Sequence, residues 1–212
     1  MTDQYLYTVG DNLYLNLTNK CPCRCVFCIR DRGDGVNEGE NLWLAHDPTL
    51  TELESALSKE DLGRYRQIVF CGYGEPTERI DLLVATARHI RETLPDAALR
   101  LDTNGLGNLI NGRDIVPELA EVIDVVSVSL NAPDNQKYLD VTKPAAVYRD
   151  RAYCAMLDFA AECKKAGVDV KFTVVDVISN NDIKLCQVMS RDMGIPLRVR
   201  ALVGAPSETP KP

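Results

Sequence analysis

The side chains best suited to chemistry lie in the segment Cys21–Cys28, where Cys21, Cys25 and Cys28 have the spacing Cys-x3-Cys-x2-Cys. Cysteine thiolates are the usual ligands of iron–sulfur clusters, and most clusters take four of them, one for each iron. Three thiolates without an obvious fourth suit a [4Fe–4S] cluster in which one iron has no protein ligand. Catalytic zinc sites differ from structural ones in the same way, because they keep one coordination position free. The spacing therefore predicts a reactive iron–sulfur site.

Other uses of the cysteines stay open from the residues alone. Cys23 lies inside the motif, and a loop with cysteines at 21, 23, 25 and 28 is compatible with a four-ligand cluster. A structural zinc loop is a second alternative, although closed zinc sites pair two knuckles and His46 and His89 have no knuckle spacing. The remaining cysteines form no ligand motif and are interpreted as packing residues: Cys71, Cys154, Cys163 and Cys186.

A second motif, Gly72-Tyr73-Gly74-Glu75-Pro76, ends the next predicted strand. Glycine permits close backbone approach, proline stops the strand, and a carboxylate accepts hydrogen bonds from a ligand ammonium group. Alone the motif is also typical of a strand-to-helix turn with a glutamate near the start of the helix. Its position one strand–helix unit after the cysteines makes it a candidate cofactor loop.

Strands and helices alternate along the chain. Strands are predicted at 5–9, 13–17, 67–72, 98–102, 125–130, 168–175 and 197–203, and the first two form a hairpin around Gly10-Asp11-Asn12. Helices are predicted at 51–65, 80–94, 116–122, 149–166 and 181–193. This order favours a parallel sheet with right-handed crossovers. The alternative, an antiparallel sheet with one solvated face, is disfavoured by the interleaved helices.

Several predicted strands have one apolar and one polar face, whereas buried parallel strands are usually apolar throughout. Val126 and Val128 share one face of their strand, and Ser127 and Ser129 share the other. The apolar face would meet helices and the polar face a hydrated lumen. The sequence therefore predicts an α/β fold whose sheet is curled.

Bulk properties set limits on the class of protein. The 212 residues are 45% hydrophobic and 26% charged, as in an ordinary globular protein, with no apolar run of membrane-spanning length. The start lacks the basic and apolar regions of a signal peptide, so a cytoplasmic protein is expected, in which the cysteines stay unpaired. The net charge of −7 disfavours non-specific binding to nucleic acid or anionic membranes.

With its cysteine motif, glycine-rich loop and strand order, the chain resembles the radical S-adenosylmethionine (SAM) enzymes over nearly its whole length. The resemblance implies an open partial (β/α)6 barrel with an N-terminal hairpin, a single core domain over 1–203 and a flexible tail over 204–212. It also implies a [4Fe–4S] cluster and SAM, which is cleaved reductively to methionine and a 5′-deoxyadenosyl radical that abstracts hydrogen from a substrate. Within the superfamily, the stretches Leu13–Arg30, Phe70–Thr77 and Asp102–Gly112 resemble small radical SAM proteins associated with TatD-type nucleases.

Individual roles follow from the same resemblance. Cys21, Cys25 and Cys28 would each bind one iron, with Cys23 as a bystander. The residues expected to contact SAM, from an aromatic ring at the adenine to polar groups at the ribose and methionine, are Phe27, Gly72, Tyr73, Gly74, Glu75, Asp102, Asn104, Ser127, Ser129 and Asn131. Tyr73 departs from the family pattern, which has glycine at this position.

The resemblance implies an electron donor, flavodoxin or ferredoxin, and Arg24, Arg30 and Arg32 around the cysteine loop would dock an acidic carrier of this kind. No substantial segment follows the last strand to cap the barrel, so the expected substrate is a macromolecule or a nucleotide-derived molecule. Arg198 and Arg200 would grip an anion or, equally, form a solvated edge strand. A non-catalytic iron–sulfur carrier or sensor remains an alternative, since it needs no SAM site.

Overall fold

Seven strands form one open sheet in the computed structural model, which describes residues 3–31, 33, 36 and 40–202. In chain order and in sheet order they are β1 (Leu6–Val9), β2 (Asn12–Leu15), β3 (Gln67–Phe70), β4 (Leu99–Thr103), β5 (Val125–Ser129), β6 (Asp169–Val175) and β7 (Leu197–Arg200). β1 and β2 pair antiparallel as a hairpin, and every later neighbour pairs parallel. β1 and β7 are the two edges, so the predicted open six-stranded parallel sheet with an N-terminal hairpin is confirmed.

Seven α-helices accompany the strands in the described residues. They are α1 (Leu50–Leu57), α2 (Ile80–Thr93), α3 (Gly107–Asn111), α4 (Val116–Ala120), α5 (Asn135–Thr142), α6 (Ala152–Lys165) and α7 (Asn180–Asp192). The sequence prediction missed the short α3 and α5. It also ran α1 too far, because after Leu57 the chain makes turns and a 3-10 helix at Leu62–Arg64.

The two faces of the sheet differ as the alternation predicted. Leu101, Val126 and Phe172 are fully buried on the face that packs against the helices. Burying each such side chain contributes about 1.5–3 kcal/mol. The next residue on each strand, Asp102, Ser127 or Thr173, lies on the opposite face and lines an open cavity. The fold therefore gains its stability from the outer face, which leaves the inner face free for polar side chains.

The predicted core over 1–203 and the predicted loose tail over 204–212 stay predictions, because residues 203–212 lie outside the described part of the chain. None of the helices in the described part combines the length and apolar character needed to cross a membrane.

Candidate functional site

The cysteine loop follows β2 and opens onto the cavity on the inner face of the sheet. Cys25, Phe27 and Cys28 line this cavity, which has a volume of about 690 Å³. Cys21 is partly buried and packs against the hydrophobic core, and it is not among the lining residues. The structure thus brings two of the three predicted ligands and the predicted adenine contact to one wall.

Main-chain hydrogen bonds fix this loop to α5, the helix that the sequence prediction missed. The Val26 N–H donates to the carbonyl of Val141 (2.9 Å), and the Arg24 N–H donates to the carbonyl of Thr142 (3.1 Å). In return, the Ala145 N–H donates to the carbonyl of Pro22 (2.7 Å). Because these bonds use backbone groups alone, they hold the loop whatever its cysteines bind.

Two asparagines and one arginine brace the loop from the other side. Asn16 is buried and its amide donates to the carbonyl of Leu42 (2.7 Å), while Asn19 exchanges two hydrogen bonds with the backbone of Leu44 (2.7 and 3.1 Å). Arg30 donates to the carbonyl of Asn19 (3.0 Å) and to Cys28 Sγ (3.4 Å). Arg30 thus links the end of the cysteine loop to the segment that leads into it.

Cys23 has an environment unlike that of the other three cysteines of the loop. It is 2% exposed and forms an isolated β-bridge with Pro144. A hydrogen bond from Cys23 lowers the pKa of the Cys21 thiol, which favours the thiolate that binds iron. The contacts of Cys23 with Cys21 and Cys25, followed by burial, raise the pKa of Cys23 itself. The thiol of Cys23 therefore supports Cys21 as a ligand rather than competing with it.

The glycine-rich loop after β3 packs directly on the start of the cysteine loop. A Cβ on Gly74 would lie 2.3 Å from the carbonyl oxygen of Thr18, and one on Gly72 would lie 2.1 Å from Asn16 Oδ1. Real Cβ atoms do not come this close, so these positions admit only glycine without a shift of the backbone. Gly72 and the neighbouring Tyr73 line the cavity, and Gly74 lies behind them.

Glu75 is buried and its carboxylate bridges two loops. Oε1 accepts a hydrogen bond from the Thr103 hydroxyl (2.7 Å). It also accepts two from Thr77, one from the hydroxyl (2.8 Å) and one from the backbone N–H (3.2 Å). Oε2 accepts one from the Asn104 N–H (2.8 Å). Burial raises the pKa of Glu75, and these bonds oppose the rise. The structure thus shows Glu75 joining the ends of β3 and β4, and the predicted contact with the methionine ammonium group stays a prediction.

The polar residues predicted at the ends of β4 and β5 divide into two groups. Asp102, Ser127 and Ser129 line the cavity, whereas Asn104 and Asn131 do not. Asn104 accepts a hydrogen bond from the Leu106 N–H (2.8 Å), while its buried Nδ2 has no partner among the described residues. Asn131 is 3% exposed, its Oδ1 is also unpartnered there, and its φ of 56° places it in the left-handed region.

The sequence prediction missed Arg100, which organises the polar floor of the cavity. Its guanidinium group lies 2.9 Å from Asp102 Oδ1 and donates to Gln67 Oε1 (2.7 Å) and to the Tyr14 hydroxyl (3.2 Å). Burial raises the pKa of Asp102, and the charge of Arg100 opposes this rise. The alternation of β4 already places Arg100 and Asp102 on one face, a signal that pointed to this pair.

Tyr7 and Cys71 form a second part of the wall that the sequence did not indicate. The Tyr7 hydroxyl donates to the carbonyl of Cys71 (3.1 Å), and its ring stacks on that of Tyr14 at 5.1 Å. Burial raises the pKa of the Cys71 thiol to about 12, so it is neutral at physiological pH. Cys71 lines the cavity, although it was predicted to be a packing residue.

The donor set fits a [4Fe–4S] cluster bound beside a polar small molecule. Thiolates are the ligands that such clusters take, and each cysteine serves a different iron, so the sulfur atoms need not converge on one point. In the described residues, no three His, Cys, Asp or Glu side chains are grouped around a single metal-ion position. Buried Asn104 Nδ2 and Asn131 Oδ1 have no hydrogen-bond partner among the described residues, and Asp102, Ser127 and Ser129 present polar groups to the cavity itself, as a polar ligand requires.

The fold and the site together are typical of one class of enzymes. In this class an open parallel β/α sheet has a cysteine loop after its first parallel strand, and the loop holds a metal cluster inside the barrel. The sequence profile of the radical SAM superfamily matches residues 15–190. The chain belongs to this superfamily, and the enzymes of this superfamily use a [4Fe–4S] cluster and SAM.

Two known proteins with similar sequences have different names and cover the chain to a similar extent. GTP 3′,8-cyclase from Corynebacterium glutamicum is 29% identical over 185 residues, which cover 82% of this chain and 44% of the cyclase. The FeMo cofactor biosynthesis protein NifB from Chlorobaculum tepidum is 28% identical over 200 residues, covering 88% of this chain and 45% of NifB. The chain therefore spans less than half the length of these relatives.

Solved structures share the fold. SuiB from Streptococcus suis, bound to S-adenosylmethionine, superposes with a TM-score of 0.67 at 16% identity, covering 93% of this chain and 42% of SuiB. The enzyme anSMEcpe with bound AdoMet superposes with a TM-score of 0.62 at 17% identity, covering 89% of this chain and 50% of that one. At this identity the likeness shows the fold alone.

Proposed function

We propose that this barrel carries out reductive cleavage of SAM and directs the resulting radical at a substrate bound in its lumen. The observation that carries the proposal is the position of Cys25, Phe27 and Cys28 on the wall of a polar cavity at the inner face of the sheet. The cofactor pair supplies, when bound, one-electron cleavage of the C5′–S bond of SAM to methionine and a 5′-deoxyadenosyl radical, which removes hydrogen from the substrate.

The residues of the chain hold and orient these groups. Cys21, Cys25 and Cys28 would hold the cluster; Arg30 donates a hydrogen bond to Cys28, and the contact with Cys23 lowers the pKa of Cys21. Phe27 would contact the adenine, and the loop Gly72–Glu75 would meet the methionine end through its backbone. Polar groups for the ribose and the methionine carboxylate would come from a set along β4 and β5, namely Asp102, Asn104, Ser127, Ser129 and Asn131.

The test is production of 5′-deoxyadenosine by the protein reconstituted with iron and sulfide without oxygen and reduced with dithionite. Cys25→Ala should abolish production, because the cluster loses one of three ligands. Cys154→Ala is the matched control, since Cys154 is exposed on α6 and far along the chain from the loop. A wild-type protein that holds a complete cluster but never cleaves SAM, with or without cell extract, would favour an electron carrier instead.

We infer that the electron donor is an acidic protein such as flavodoxin or ferredoxin. Arg24 is exposed beside the cysteine loop, which supports this prediction. Arg30 is turned inward to Asn19 and Cys28, and Arg32 lies outside the described residues. Arg24→Glu should therefore slow reduction by flavodoxin and leave reduction by dithionite unchanged, whereas equal losses with both reductants would contradict docking at this point.

We also propose the narrower assignment to the small radical SAM proteins associated with TatD-type nucleases, on the resemblance of Leu13–Arg30, Phe70–Thr77 and Asp102–Gly112. The eight free cysteines support a cytoplasmic location, where thiols stay reduced. The expected substrate is a macromolecule or a nucleotide-derived molecule. The name of the relatives that act on GTP supports the second of these.

A further inference from the structure

The lining of the cavity is strongly cationic although the chain as a whole is acidic. Five lining residues are basic, and one, Asp102, is acidic: the basic residues are Arg66, Arg100, Lys171, Arg198 and Arg200. The net charge of the chain is −7. A surplus of one sign inside a concave site concentrates ions of the opposite sign there.

Two of the five cations are already paired with acidic side chains. Arg100 lies 2.9 Å from Asp102, and Lys171 Nζ lies 3.4 Å from Asp169 Oδ2. The guanidinium groups of Arg66, Arg198 and Arg200 have no hydrogen bond or ion pair with any described residue, and all three side chains are exposed at the open side of the cavity. Within the described part of the chain, these three cations therefore have no acidic side chain in direct contact.

The register of the sheet places one of these arginines in a row of hydroxyl groups. Ser129 on β5 pairs with Thr173 on β6, which pairs with Arg198 on β7. All three line the cavity, and neighbouring strands lie about 4.8 Å apart. Arg200 lies two residues further along β7 on the same face, and its charge, after that of Arg100, opposes the rise that burial causes in the pKa of Asp102. Hydroxyl and guanidinium donors in one row suit a tetrahedral, multiply charged oxyanion.

SAM does not account for this charge. Its single carboxylate satisfies at most one guanidinium group, and its sulfonium and ammonium groups are cations. The cysteine loop and the glycine-rich loop, which are proposed to hold SAM, follow β2 and β3, whereas Arg198 and Arg200 lie on β7 at the opposite edge of the sheet. The unpaired arginines thus face the part of the lumen that is left for the substrate.

We propose that the substrate carries a phosphate group, which Arg198 and Arg200 bind together with Thr173, next to Ser129 of the proposed SAM set. This inference rests on the proposed function, because only the proposed function makes the phosphate-bearing molecule the substrate. A phosphate monoester carries close to two negative charges at pH 7, more than a carboxylate, and arginine binds it through two parallel hydrogen bonds. A cavity of about 690 Å³ is within the range of small-molecule sites.

The test is equilibrium binding of labelled inorganic pyrophosphate to the anaerobically reconstituted protein saturated with SAM. We expect saturable binding of one equivalent, weakened about tenfold to a hundredfold by Arg198→Gln or Arg200→Gln and reduced by added salt. Arg191→Gln, at an exposed position in the last turn of α7, is the matched control and should bind as the wild type does. Competition by a nucleoside diphosphate or by a sugar phosphate then distinguishes the sources of the phosphate group.

Three results would overturn the proposal: no saturable binding, binding that Arg198→Gln and Arg200→Gln leave unchanged, or equally strong binding of succinate with the same dependence on these arginines. Binding of pyrophosphate needs no turnover, and cleavage of SAM is measured separately as 5′-deoxyadenosine. A failure of the phosphate site and a failure of the proposed radical chemistry are therefore distinguishable.

Discussion

Replacing Glu75 with glutamine should destabilise the protein, because the buried carboxylate accepts four hydrogen bonds that an amide cannot accept in full. The donors are the hydroxyls of Thr77 and Thr103 and the N–H groups of Thr77 and Asn104. In Glu75→Gln one oxygen becomes an NH₂ group that faces a donor. A buried donor left unpaired costs about 1–3 kcal/mol, so a loss of about 1–3 kcal/mol is expected.

The assay is urea unfolding of the reduced apoprotein, followed by circular dichroism, for the wild type, Glu75→Gln and Glu78→Gln. Glu78 lies three residues further on, in the 3-10 helix Pro76–Arg79 that Glu75 caps, and its partly buried carboxylate has no hydrogen bond among the described residues. The control should differ from the wild type by less than about 0.5 kcal/mol. If the free energy of unfolding of Glu75→Gln also differs from the wild type by less than about 0.5 kcal/mol, the bridging role of Glu75 is refuted.

The same variant should change how stability depends on pH. The folded-state pKa of Glu75 is raised by burial, so its contribution is fully present below the ordinary value of 4.5 and is lost as pH rises through the folded value. Glu75→Gln removes this contribution. Its free energy of unfolding should therefore fall less steeply than that of the wild type over the pH range directly above 4.5.

Three further outcomes are expected. Gly74→Ala should lower stability by about 1–3 kcal/mol and reduce iron content, because its Cβ would meet backbone oxygens of the cysteine loop, whereas Gly63→Ala, with only one contact at 3.5 Å, should do neither. His46→Asn should flatten the pH dependence of stability near neutrality, because hydrogen bonding to a glutamate raises the pKa of His46 and its contribution is lost as pH rises through that value. Arg100→Met should cost about 2–4 kcal/mol in urea unfolding, and adding Asp102→Asn should restore much of it by removing the unpaired charge.

The sequence predicted the sheet well because local patterns determine it. Alternating apolar residues such as Val126 and Val128 mark the face under the helices, and the structure buries them fully. The strand order follows from the alternation with helices. What failed was the short helix α5: its eight residues begin at a capping aspartate, Asp134, but follow a loop-like segment, and the helix is held by bonds to the distant cysteine loop.

The motifs of the candidate site could be predicted from the sequence. The hydrogen bonds and ion pairs that their residues make could be predicted less well. The cysteine spacing and the glycine-rich loop pointed to the ends of β2 and β3, and residues of both loops line the cavity. The alternative of a turn with Glu75 near the start of a helix describes its place at the N-cap of a 3-10 helix. That Glu75 also joins two loops was not predictable, since its partners include backbone and hydroxyl groups of β4 and its following loop. Arg100 was also missed, because its role depends on Gln67 and Tyr14 on neighbouring strands.

The attachment of the cysteine loop to α5 has a consequence for maturation of the protein. The bonds of Arg24, Val26 and Ala145 involve only the main chain, so they form before any metal arrives. Fixing the backbone of one residue costs about 1–2 kcal/mol of conformational entropy. In a loop that is already ordered by folding, much of this entropy is lost before the cluster binds. The binding energy of incoming iron and sulfide then goes into affinity instead of into ordering the chain. The main-chain bonds to α5 and its following segment thus lower the ordering cost that assembly of a cluster on this loop would otherwise carry.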